Sequence, residues 1–81
     1  MRTSHAILLR LRHDPQYDFR KVSVEYVNRG APGDRSTVQG DRILKLDQGW
    51  MEIESEVGTT FIPYHRIRRI AYDGETMWTH G

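Results

Sequence analysis

The sequence contains no cysteine. No disulfide can staple the chain, and no thiolate is available as a nucleophile or a zinc ligand. The absence fits a reducing compartment. Long apolar runs are missing as well, and nothing approaches the ~18 residues of a membrane-spanning helix. Near the start, Ala6-Ile7-Leu8-Leu9 meets Arg10 at once and no small-residue cleavage site follows, so no signal peptide is expected. A soluble, cytoplasmic protein is the expectation. Lysine is scarce: of the 12 basic residues only Lys21 and Lys45 are lysines and the rest are arginines. That bias favours bidentate contacts to phosphate or carboxylate over general solubility. Large net charge is absent too. At +1, bulk charge does not make this a strong non-specific polyanion binder. The four histidines, His5, His13, His65 and His80, lack metal-ligand spacing, so no metal and no cofactor is expected.

What is present fits one domain of 81 residues. A chain of this size buries only ~60–65 % of its unfolded surface, so its core is small. Acids gather at Asp47, Glu52, Glu54 and Glu56, and bases at Arg66, Arg68 and Arg69. These are either two solvated faces of opposite sign or one solvated face and a basic site.

The pattern along the chain predicts a helix from a Ser4 cap to about Arg12. Ile7, Leu8 and Leu11 fall on one face, and Pro15 ends it. Lys21 to Asn28 alternates as a strand, with Val22, Val24 and Tyr26 facing one way. Arg29-Gly30-Ala31-Pro32-Gly33-Asp34 is a loop. A short strand is expected at Thr37-Val38-Gln39. Gly40 to Gly49 fits either a helical turn or a short strand. Trp50 to Ser55 alternates again, and Glu56 to Thr59 turns into Thr60-Phe61-Ile62. Asp73-Gly74 between apolar alternations signals a type I′ hairpin. A two-residue loop there pairs Tyr72 with Glu75, Ile70 with Met77 and Arg69 with Trp78, the last a guanidinium-on-indole stack. Both tryptophans, Trp50 and Trp78, are expected in the core rather than as base-stacking platforms. The fold class is α+β: one N-terminal helix packed on a mostly antiparallel sheet of four to six short strands.

The richest local signal is Phe61-Ile62-Pro63-Tyr64-His65-Arg66-Ile67. Proline fixes its own φ and pushes Ile62 toward extended backbone. A strand should end there, and a tight turn should carry Tyr64, His65 and Arg66 to Ile67. Arginine offers a planar donor fork and histidine a second hydrogen-bonding group near neutral pH. Together they suit an anion, above all a phosphate. The alternative is that His65 bonds a backbone carbonyl and Arg66 pairs with a carboxylate. Arg29 precedes Gly30 in a loop whose glycines permit backbone approach to an anion. The loop lacks the lysine and Ser/Thr pair of a P-loop, and Asp34 as a local turn cap is the other reading. Asp14 either orients Arg12 or His65, or forms the turn before Pro15. Tyr64 is either a base-stacking platform or an amphipathic core residue.

Arg12-His13-Asp14-Pro15, Tyr26-Val27-Asn28-Arg29-Gly30, Ile62-Pro63-Tyr64-His65-Arg66-Ile67 and Tyr72-Asp73-Gly74 with Met77-Trp78 occur in this order. In this combination and spacing the chain resembles, over nearly its whole length, a family of small archaeal and bacterial proteins described as the RNA cyclic-group end recognition domain. One departure is visible: many members carry an aromatic, often tryptophan, where this chain has His13. The resemblance implies a module that recognises RNA 3′ ends bearing a 2′,3′-cyclic phosphate, in the company of RNA-processing or repair enzymes. The residues it brings forward are Arg29, Tyr64, His65 and Arg66, supported by Arg12, Asp14 and Gly30. Two other classes stay open. A small phosphoesterase or ribonuclease would use His65 as acid-base and needs a second such group, from His5, His13 or Asp14. A protein-interaction domain would pair exposed strand edges with a partner.

Overall fold

The helix α1 (Ser4–His13) forms where a capping hydroxyl meets an apolar stripe. The computed structural model describes residues 3–80. The cap is Thr3 rather than Ser4: the Thr3 Oγ1 accepts the Ala6 N–H at 3.1 Å. Ser4 is the first helical residue and is buried. Asp14 leaves helical geometry ahead of Pro15, its N–H still reaching the Arg10 carbonyl at 2.9 Å. Arg10, Arg12 and His13 occupy the last turn, where the helix dipole favours positive charge.

Seven strands follow: β1 (Val22–Val27), β2 (Arg35–Gln39), β3 (Ile43–Leu46), β4 (Trp50–Ser55), β5 (Gly58–Pro63), β6 (Ile67–Tyr72) and β7 (Glu75–Thr79). The expected single sheet of four to six strands is corrected to two. One is four-stranded with order β2-β1-β6-β7, the other three-stranded with order β3-β4-β5, and all pairings are antiparallel. The chain changes sheet at two short 3-10 turns. Gly40–Arg42 carries it from β2 to β3, and Tyr64–Arg66 carries it back from β5 to β6. The ambiguous Gly40–Gly49 stretch thus holds both a helical turn and a strand.

Both sheets and the helix feed one core. Leu8 and Leu11 come from α1, Val22, Val24 and Tyr26 from β1, Ile43 from β3, Met51 and Ile53 from β4, and Ile67 and Ile70 from β6. Trp78 packs against this cluster. Trp50, expected inside, is 41 % exposed and meets the Phe61 ring edge-on at 6.4 Å. It alternates out of phase with buried Met51 and Ile53, so the strand points it away from the core.

The terminal hairpin turns as expected, with Asp73 and Gly74 both at positive φ, as a type I′ turn requires. Tyr72 pairs with Glu75, but a register shift after Ala71 pairs Ile70 with Trp78 and Arg69 with Thr79. The Arg69 guanidinium is therefore not stacked on Trp78 as expected; its Nε donates to the Thr76 Oγ1 at 2.8 Å. A second shift lies where β6 meets β1. Glu25 opposes Arg69 and Tyr26 opposes Ile67, leaving Arg68 as the extra residue. That bulge explains how Ile67 and Ile70, out of step by period two, are both fully buried.

Candidate functional site

Two chain segments distant in sequence meet at the end of β1. The first is the loop after Val27. Asn28 donates its backbone N–H to the Asp34 carbonyl at 2.8 Å and its Nδ2 to the Ser36 Oγ at 2.9 Å. The Asp34 Oδ1 accepts the Gly30 N–H at 3.3 Å, and Gly30 sits at φ 94, where a side chain is disfavoured. Asp34 thus closes the loop as a local cap. The Gly30 amide is spent inside the loop rather than offered to an anion.

The second segment is the 3-10 turn Tyr64–Arg66. Tyr64 anchors it from below. Its ring stacks on His5 at 4.3 Å, and its hydroxyl donates to the Asp47 carbonyl at 2.5 Å. Burial, with the Asp47 carboxylate adding to it, pushes the phenol up to about 12. Arg68, thrown outward by the bulge, anchors the turn from the other side: its Nη1 donates to the His65 carbonyl at 2.9 Å.

Between these segments lies a cleft of about 560 Å³ lined by Val27, Asn28, Arg29, His65, Arg66 and Arg68. Arg29 and His65, from opposite ends of the fold's connectivity, therefore share one wall system with Arg66. Among the described residues the side chains of Arg29, His65 and Arg66 make no hydrogen bond or ion pair, and all three are exposed. No carboxylate lines this cleft. Three guanidinium groups and an imidazole around a space without an acid form a donor-rich, cationic surface suited to an oxyanion.

The other expected residues lie elsewhere. Tyr64 does not line the cleft; its ring and hydroxyl hold the turn. The Arg12 guanidinium sits over the Phe19 ring at 5.1 Å. Asp14 reaches neither Arg12 nor His65; its Oδ1 accepts the Gln16 N–H at 2.9 Å in a local turn. Val27, Asn28 and Arg68 line the cleft without having been nominated as site residues, although the sequence placed Asn28 in a motif and Arg68 in a basic cluster. The signal for Arg68 was present in the broken period at Ile67 and Ile70, which marks a bulge between them. Among the described residues no group of histidines and carboxylates could hold a metal, and no helix is long and apolar enough to cross a membrane.

The anchoring role of Tyr64 gives a test in stability. Tyr64→Phe keeps the ring stack and deletes one hydrogen bond, with an expected cost of ~1 kcal/mol in urea unfolding. The pH dependence has a definite sign. The folded pKa lies above the free phenol value of 10.0, so the Tyr64 contribution to stability is fully present below pH 10. The wild type loses stability as pH rises from about 10 toward 12, because the unfolded chain releases that proton first. Tyr64→Phe should lose less over that interval. A variant with the same alkaline slope as the wild type would remove Tyr64 as the anchor.

An α+β domain with a cationic cleft at the mouth of two sheets is the class that fold and geometry define. The chain belongs to the MJ1316 RNA cyclic group end recognition domain family, whose model matches residues 1–80. It is 36 % identical over 73 residues to a UPF0248 protein of Thermococcus onnurineus, covering 89 % of this chain and 78 % of that one. A UPF0248 protein of Archaeoglobus fulgidus is 35 % identical over 69 residues, 85 % of this chain and 93 % of the relative. No solved structure matches the chain.

Proposed function

We propose that this domain is an RNA-binding module that recognises an RNA 3′ end carrying a 2′,3′-cyclic phosphate, with Arg29, His65 and Arg66 holding the phosphate. The observation that carries the reading is their convergence on one acid-free cleft from separate loops. The family description names RNA cyclic-group ends as the ligand class. A cyclic phosphodiester carries a single negative charge, so a few donors suffice and no broad basic surface is needed. This agrees with a chain of net charge +1. Arg68 and Tyr64 serve the site indirectly, as the two anchors of the turn that presents His65 and Arg66. RNA-processing or repair enzymes, acting in the cytoplasm, are the partners that would generate or consume such an end.

The test is a titration at fixed moderate salt of one short RNA ending in a 2′,3′-cyclic phosphate, a 3′-phosphate or a 3′-hydroxyl, with the products checked for ring opening. The cyclic end should bind best and the hydroxyl end worst. Affinity should fall only gently with salt, since few phosphates are neutralised. Equal binding of all three, or none, would end the end-recognition reading. Turnover of the cycle would convert the module into an enzyme, with His65 as its acid-base group.

A further inference from the structure

We propose that a second, larger cleft is a subsite for the nucleotide at that RNA end, with Arg42 holding the phosphodiester that joins it to its neighbour. The proposal rests on the end-recognition reading and extends it from the phosphate to the chain behind it.

The larger cleft measures about 830 Å³ and shares Val27, Asn28 and Arg66 with the small one. A phosphate held by Arg29, His65 and Arg66 therefore has this space as its direct continuation. Its volume lies within the ~300–1,000 Å³ of sites that enclose small organic groups. Its walls come from the outer strands of both sheets, β2 at Ser36–Gln39 and β5 at Thr60–Ile62.

The β2 wall offers backbone as well as side chains. β2 is an edge strand, paired only with β1. The Asn28 N–H bond to the Asp34 carbonyl extends the β1–β2 register and sets its phase. In an antiparallel ladder, bonded pairs alternate, so Ser36 and Val38 face β1 while the N–H and C=O of Thr37 face the open edge; the Gln39 carbonyl is the first acceptor of the turn Gly40–Arg42. The Thr37 N–H and C=O thus offer the cleft one donor and one acceptor, the complement of the polar edge of a base or a ribose. Phe61, 56 % exposed, adds an aromatic surface against which a base can stack.

Arg42 supplies the charge. It lies on the turn Gly40–Arg42, as Arg66 lies on the turn Tyr64–Arg66, so each point where the chain changes sheet places a guanidinium on this cleft. Glu54 and Glu56 also line the cleft, yet Arg42 forms no ion pair or hydrogen bond with either among the described residues. Its donor fork is left available. The same carboxylates, at the β4–β5 hairpin, oppose any further phosphate brought toward them. The arrangement therefore accommodates one internucleotide phosphate, and length dependence should saturate at two nucleotides.

The experiment compares a nucleoside 2′,3′-cyclic monophosphate, a dinucleotide with the same end and a tetranucleotide with the same end. Each is titrated into wild type and Arg42→Ala at fixed salt, with Tm recorded for both proteins. Wild type should bind the dinucleotide ~10-fold more tightly than the mononucleotide, the scale of one charge-assisted contact. The tetranucleotide should add no more than ~3-fold beyond that, because the carboxylates repel its further phosphates. Arg42→Ala should lose the dinucleotide gain while keeping mononucleotide affinity and Tm. Equal mononucleotide and dinucleotide affinity, a gain that survives Arg42→Ala, or a gain that keeps climbing to four nucleotides would each overturn the subsite. Mononucleotide binding without the gain leaves the end-recognition reading standing. Absence of binding to all three ligands removes both, and leaves the open β2 edge to a polypeptide strand.

Discussion

Gly40→Ala is expected to destabilise the protein by ~3 kcal/mol or more, the upper range for overpacked sites. Gly40 is buried, and a Cβ built on it falls far inside van der Waals contact with the Phe19 carbonyl oxygen and 2.8 Å from the carbonyl carbon. The obstacle is backbone, held in a 3-10 turn at Phe19–Lys21, so no rotamer change relieves it. The chain must move Phe19–Lys21 away from Gly40–Arg42, opening the floor beneath the sheet switch. A domain of this size holds only ~4–12 kcal/mol in total, at ~0.05–0.15 per residue. At ~4–8 °C per kcal/mol, Tm should drop by ~12–24 °C. Gly49→Ala is the control. A Cβ added there meets nothing within 4 Å and the φ of Gly49 is not positive, so Tm should stay within ~3 °C. Equal behaviour of the two variants would refute the close approach. Residual binding by folded Gly40→Ala should show a reduced dinucleotide gain, since Arg42 rides on the displaced turn.

The contrast between Gly40 and Gly49 shows what a sequence conveys and what it withholds. Both glycines read as punctuation around an ambiguous stretch, and only the packing of Phe19 on Gly40 separates them. Period and turn chemistry were enough for α1, for the inward face of β1 and for the Asp73-Gly74 turn, because each depends on neighbours a few residues away. The number of sheets was not legible. An alternating strand states that one face is buried, not which sheet it joins, and the switches are three-residue 3-10 turns too short for a period. The cleft inherits this. Arg29, His65 and Arg66 could be nominated from residue chemistry, but their meeting depends on β5 returning to the first sheet beside β1. Trp50 illustrates the opposite error: its size argued for burial, while its phase against Met51 and Ile53 placed it outside. Tyr64 had two open readings, and the distant partners His5 and Asp47 occupy it.

Arg66→Ala should weaken binding of an RNA with a 2′,3′-cyclic end ~10–100-fold, corresponding to the ~1.5–3 kcal/mol of a hydrogen-bonded charge. Arg66 borders both clefts, so among the three residues proposed to hold the phosphate it alone also lines the larger cleft. Its side chain is exposed and has no partner among the described residues, and surface changes of that kind shift stability by ~0.5 kcal/mol or less. The loss should therefore appear in affinity with Tm nearly unchanged, unlike the loss in Gly40→Ala. The slope of log affinity against log salt should shrink by ~0.7–1, the counterion share of one phosphate contact. Arg66→Lys keeps the charge without the planar fork and should recover the slope but only part of the affinity. Arg69→Ala is the matched control. It removes a neighbouring arginine whose Nε is engaged by Thr76 and which lines neither cleft. Its binding should equal wild type. The discriminating measurement is the four-protein titration across salt. If Arg66→Ala and Arg69→Ala lose affinity alike, the RNA senses only the general positive charge of this segment. A large loss confined to Arg66→Ala, with the reduced slope, is the result a defined phosphate contact requires, because only a discrete guanidinium–phosphate pair couples affinity and counterion release at a single residue.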